Sequence, residues 1–128
     1  DIRLSRRLID AGADVVFGHS SHHPRPIEIY QEKLVLYGCG DFIDDYEGIT
    51  GHEEYRDDLR LLYLADLDRK TGRLAALRII PFQARQMRLH RASEIDSSWL
   101  TATLGRINRR FGSHVRLDPD GSLVLEPA

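Results

Sequence analysis

The sequence predicts an α/β fold of mixed sheets flanked by helices, with β-hairpins gathered toward the C-terminus. Three observations carry that reading. A helical pattern over residues 2–11 runs straight into an apolar strand at 15–17. Two strand-like runs follow at 26–30 and 34–37, and beyond residue 58 two further pairs of strand-like runs, each joined by turn-forming residues, bracket one helix.

Each element has a local reason. In residues 2–11, Ile2, Leu4, Leu8 and Ile9 share one side and Arg3, Arg6 and Arg7 lie elsewhere, while Gly12 can take the left-handed conformation that closes a helix. Val15 to Phe17 then reads as a buried strand ending at Gly18. Residues 26–30 alternate Ile27 and Ile29 against Glu28 and Tyr30, and 34–37 is apolar throughout, as for a strand covered on both faces. Residues 43–57 are polar and irregular and read as a long surface loop. Strands at 59–66 and 73–82 form a hairpin across Asp68 to Gly72, and Pro81 places the far end of the second at an edge or out of the ladder. Ser93 or Asp96 caps the second helix, whose apolar face is Leu100, Leu104, Ile107 and Phe111, and Gly112 ends it. A last hairpin joins 115–117 to 123–125 across Pro119, Asp120 and Gly121.

At 128 residues the chain is one domain's worth. It opens in a helical pattern at Asp1 without a methionine, which predicts that it continues upstream. A net charge of -2 with 30% charged residues gives no electrostatic reason to expect nucleic acid or an anionic membrane as partner. No apolar run approaches the roughly 20 residues of a membrane helix. Cys39 is the single cysteine, which excludes an intrachain disulfide; with no activating base nearby in sequence it reads as core packing.

The chemistry concentrates where the first strand ends. His19, His22 and His23 fall within five positions, the density expected where a strand delivers metal ligands to a loop, since neutral imidazole suits zinc, manganese or iron. Two histidines three residues apart can converge on one ion or on two adjacent ones, although loop histidines are also common without metal. His23 reads as a hydrogen-bonding or substrate-contacting neighbour. The second ring nitrogens need partners, and Glu28 or Asp41 could supply the carboxylate. Glu28 could equally be a half-exposed strand residue and Asp41 a turn residue. The acidic stretch 41–47 lacks the ligand spacing of a calcium loop and reads as solvated. Arg85, Arg88 and Arg91, spaced by three, read as one exposed face.

The stretch GADVVFGHSSHHPRPIEIYQEKLVLYGCGDF resembles the C-terminal part of the poly-γ-glutamate capsule synthesis (CapA-like) family, relatives of the calcineurin-type metallophosphatases. The pattern shared is a Gly-Ala-Asp, a strand, Gly-His-x-x-His, an Ile-Glu strand, a Lys-Leu-x-Leu-Tyr strand and a Gly-Asn-Phe. His19 and His22 fall on the two family histidines, Glu28 on its glutamate, and Gly40 to Phe42 on its Gly-Asn-Phe. Two positions depart from it: Glu32 stands where many members have a turn glycine, and Asp41 replaces the usual asparagine.

The resemblance implies a partial metallophosphatase-like sandwich, the C-terminal piece of a larger domain whose other half supplies further aspartate, asparagine and histidine ligands. It implies two divalent transition-metal ions (Mn, Zn or Fe) in the intact protein, with none or one held by this piece alone, and places His19 and His22 as ligands, His19 also contacting the scissile group. His23, Glu28 and Asp41 are then supporting or substrate-contacting residues. The implied activity is that of a metal-dependent hydrolase or transferase on a phosphoester or an anionic polymer, with the piece alone inactive. A polymer-binding or assembly subunit without chemistry is the alternative, and exposed strand edges on the severed piece predict a possible homo-oligomer.

Overall fold

The computed structural model describes residues 1–19, 22–44 and 56–126. Helix α1 (Ile2–Asp10) starts because the Asp1 carboxylate accepts the backbone N–H groups of Arg3 and Leu4 at 2.8 and 3.3 Å. It closes as expected at Gly12, whose φ of +116° favours glycine. Its apolar side is only partly used: Ile9 is buried, but Leu4 and Leu8 are 57% and 44% exposed.

Strands β1 (Val15–Phe17), β2 (Ile27–Tyr30) and β3 (Lys33–Leu36) make a three-stranded sheet in the order β1-β3-β2, parallel between β1 and β3 and antiparallel between β2 and β3. β1 is therefore an edge strand, not the buried one expected, and Phe17 is 68% exposed. A three-residue apolar run cannot distinguish an edge from a centre, because only its neighbours decide. β3 is covered on both faces, with Leu34, Val35 and Leu36 all buried. The β2–β3 turn places Gln31 and Glu32 at φ +50° and +65°, so Glu32 occupies the left-handed position that glycine usually fills.

The second sheet runs β4 (Leu59–Leu67), β5 (Leu74–Arg85), β8 (Leu123–Glu126), β7 (His114–Leu117), with β6 (Arg88–Arg91) also paired to β5. The β4–β5 turn forms as its residues dictate: Asp68 Oδ1 accepts the Lys70 and Thr71 amides, and Gly72 takes φ +73°. Pro81 does not end β5. It lies buried inside the strand opposite Leu61, and its carbonyl accepts from Ala92 N on the edge where β8 has stopped and β6 has peeled away. A residue's N and C=O share one edge of a strand, so the missing donor faces that gap and no ladder bond is lost. The run 85–91 is a hairpin, turning through Gln86 and Met87 at φ +50° and +63°. Arg85, Arg88 and Arg91 are all exposed, but side chains alternate along β6, so Arg88 and Arg91 point to opposite faces and do not form the single face expected.

Ser93 caps α2 (Glu94–Ile107) by accepting from Asp96 N, and a 3-10 turn, Arg109–Phe111, closes on Gly112 at φ +71°. Ile27, Leu34 and Leu36 from the first sheet, Leu59, Leu61, Leu77, Ile79, Leu123 and Leu125 from the second, and Leu100 and Leu104 from α2 form one core. Buried Asn108 ties the layers together by accepting Ile27 N–H at 2.7 Å. Arg60, almost wholly buried, donates to Phe42 O, Asp44 Oδ1 and Asp57 O, joining both flanks of the segment expected to be a surface loop. Residues 45–55 of that segment lie outside the described residues. Among the described residues no helix is long and apolar enough to cross a membrane.

Candidate functional site at the end of the first sheet

The histidine loop is built by backbone pairing that continues past the named strands. Gly18 N–H donates to Leu36 O at 2.8 Å and Cys39 N–H donates to Gly18 O at 3.0 Å, so backbone pairing continues one residue past β1, to Gly18. On the other side of β3, Arg25 N–H donates to Gly38 O and Pro24 bridges Cys39. The loop thus leaves the sheet on one side of the 36–39 segment and returns on the other. Two glycines permit this. A Cβ on Gly18 would sit 2.7 Å from Tyr37 O, and one on Gly40, at φ +71°, would sit 3.2 Å from the His23 carbonyl carbon.

The turn at Gly40 carries Asp41 back onto the loop, where Asp41 Oδ2 lies 2.7 Å from His22 Nδ1. A carboxylate only accepts, so the proton is on Nδ1 and the lone pair of neutral His22 is on Nε2. His22 remains half exposed while Asp41 is largely covered, with side-chain exposures of 49% and 17%. His19 is exposed just beyond the strand end, and half-buried His23 turns toward α2. Burial lowers the His23 pKa; the Asp57 charge opposes the shift and Arg25 reinforces it.

Glu28 is not part of this group. Its buried carboxylate accepts from Arg6 Nε at 3.2 Å, Arg6 Nη2 at 2.5 Å and the Tyr37 hydroxyl at 2.6 Å, an arrangement that pins α1 to the sheet. Burial alone would raise its pKa, but the bonds from Arg6 and Tyr37 outweigh that and hold it below the ordinary value. Of the two carboxylates that the sequence offers as histidine partners, the structure brings Asp41 to His22 and commits Glu28 elsewhere. Asp44 is paired to Arg60, and Asp45 and Glu47 of the acidic stretch lie outside the described residues. Cys39 is half-buried with its thiol pKa raised by burial, in keeping with packing.

Sequence reasoning missed a groove beside the loop. His23 and Arg25 form one wall, and Trp99, Thr103, Arg106 and Ile107 of α2 form the other, around a volume of about 530 Å³. No spacing rule links residues 23–26 to 99–107, so only the packing of α2 reveals it.

An imidazole held by a carboxylate through one ring nitrogen fits a metal ligand, because that contact fixes the tautomer and orients the ring. The fit is partial: among the described residues no group of three or more His, Cys, Asp or Glu side chains converges as a metal would require.

Residues 1–46 match the profile of a family described as "Bacterial capsule synthesis protein PGA_cap". Over all 128 residues the chain is 56% identical to a "Probable polyglutamine synthesis accessory protein" of Mycobacterium tuberculosis, covering 34% of that relative's length. It is 42% identical over 43 residues to "PGA biosynthesis protein CapA" of Bacillus subtilis, 34% of this chain and 11% of that one. The "Capsule biosynthesis protein CapA" of Bacillus anthracis is 33% identical over 42 residues, 33% of this chain and 10% of that one. The chain spans about a third of the length of the mycobacterial relative. Through the segment that carries its histidine loop, the chain is similar to the bacterial capsule synthesis (PGA_cap, CapA-like) family.

Proposed function

We propose that the histidine loop is one part of a metal-dependent hydrolase or transferase centre of metallophosphatase type, acting in the synthesis or handling of a polyglutamate-like polymer. The observation that carries this reading is the His22–Asp41 pair, a tautomer-fixed imidazole presented at a strand end. The match to the family profile and the names of the relatives support the polymer. In the intact protein His22 and His19 would serve as ligands to two divalent ions (Mn, Zn or Fe), with further ligands from outside these residues. When bound, such ions supply Lewis-acid polarisation of a scissile phosphoryl or carbonyl oxygen. Asp41 holds the His22 ring and its tautomer, and exposed His19 would contact the scissile group. Gly18 and Gly40 hold the backbone at the two ends of the loop close against its neighbours.

Asp41→Asn is the informative variant. An amide can still meet Nδ1–H through its oxygen but carries no charge, so the variant should keep the fold and weaken metal binding by roughly 10- to 100-fold. Unchanged affinity in a metal titration of the intact protein would remove the orienting role assigned to Asp41.

A second reading, a polymer-binding or assembly subunit without chemistry, is favoured by the word "accessory" in the name of the mycobacterial relative. The two separate on turnover. Release of product from a phosphodiester or polyglutamate substrate, abolished in His22→Ala, belongs to the enzyme; binding without turnover at any metal loading belongs to the subunit.

A further inference from the structure

We propose that the groove between the histidine loop and α2 is a binding subsite for an acidic peptide chain, with carboxylates on Arg25 and Arg106 and the intervening chain on Trp99 and Ile107. The inference rests on the preceding reading only for where a reacting link would lie, and not for the binding itself. Three observations carry it.

The first is charge without compensation. Arg25 and Arg106 stand on opposite walls, both exposed, and among the described residues neither guanidinium has an ion pair or hydrogen bond. Several other arginines are committed: Arg6 to Glu28, Arg56 to Asp58 and Asp96, Arg60 to Asp44, Arg116 to Asp118 and Glu126. Two planar guanidinium forks lining one groove suit a ligand that carries more than one carboxylate.

The second is the surface between them. Trp99 and Ile107 give the α2 wall an apolar surface, and the Trp99 ring is steadied by the Arg56 guanidinium 5.6 Å from its centroid. Methylenes and amide planes pack on such a surface, which an inorganic anion cannot use. Thr103 adds a hydroxyl for a backbone amide. The third is location: His23 lines the groove and is next in sequence to His22, so a chain lying there passes beside the histidine loop. The α2 wall lies outside the segment matched by the family profile, so this subsite belongs to the longer stretch shared with the mycobacterial relative.

The test is fluorescence anisotropy of labelled hexaglutamate, α-linked and γ-linked, with the intact protein, its Arg25→Gln/Arg106→Gln double variant and its Trp99→Leu variant. Both arginines are exposed, so the double variant should keep its circular dichroism and melting temperature. The expected result is saturable binding of at least one hexaglutamate, weakened at least tenfold in the double variant and several-fold in Trp99→Leu, with polyphosphate of equal charge a poor competitor and chelator without effect. Three results overturn it: no binding of either peptide, unchanged affinity in the double variant, or polyphosphate competing as well as the peptide, which would mean unspecific anion attraction. Failure of the metal reading is separable, because a protein that takes up no metal yet binds hexaglutamate through these arginines retains the subsite. A metal-loaded protein indifferent to the double substitution loses only the subsite.

Discussion

Asn108→Ala tests how the two walls of the groove are held together. Asn108 is fully buried at the end of α2, and its Oδ1 accepts the buried Ile27 N–H at 2.7 Å, fixing the helix end to β2. Truncation orphans that amide, at a cost of about 1–3 kcal/mol. It also removes roughly 25 Å³ of packed volume, about 0.6 kcal/mol at the usual cavity cost. Asn108 Nδ2 has no hydrogen-bond partner among the described residues, so deleting it returns about 1 kcal/mol of desolvation. The balance is a loss of about 1.5 kcal/mol, worth roughly 6 °C in melting temperature for a domain of this size. Thermal melts followed by circular dichroism measure it directly. A melting temperature within about a degree of wild type would refute the assignment of Asn108 as the tie between layers.

Other residues make equally specific claims. The Tyr63 hydroxyl is buried with no hydrogen-bond partner among the described residues, so Tyr63→Phe should cost nothing and gain up to about 1 kcal/mol in chemical denaturation; a loss of that size would reveal a partner for the hydroxyl. Gly18→Ala drives a Cβ against Tyr37 O at 2.7 Å and should destabilise by about 1–3 kcal/mol while displacing His19, so a wild-type melt would contradict the close approach. The Glu28 pKa is held below its ordinary 4.5 by Arg6 and Tyr37, so its contribution is complete above that value and is lost as pH falls through the lower folded value. The stability gap between wild type and Glu28→Gln should therefore narrow on acidification from about pH 6 to about pH 3, and a gap that is constant with pH would contradict the pairing.

Much of the fold was legible wherever a turn carried its own chemistry. Asp68 to Gly72 and Pro119 to Gly121 announce their hairpins, because an aspartate that caps its own turn and a glycine at positive φ leave few alternatives. Gln86 and Met87 announce nothing. They adopt positive φ without glycine or asparagine, so β6 is invisible until β5 is seen to pair with it. Pro81 misleads for a related reason: its effect depends on which strand edge its nitrogen faces, and that is set by where β8 stops. At the histidine loop, composition locates the cluster, but the division of labour between Glu28 and Asp41 needs the fold. Arg6 lies 22 positions from Glu28, and nothing in the spacing shows that α1 will dock there and take that carboxylate.

The central claim concerns His22 and its orienting carboxylate, and the most direct measurement is metal content by elemental analysis. It would compare the intact protein with its His19→Ala/His22→Ala variant, both purified without chelators and incubated with manganese, zinc and iron. The account predicts about two transition-metal ions per wild-type chain, lost in the variant. Wild-type protein that stays metal-free after incubation would contradict it and leave polymer binding as the role of this loop.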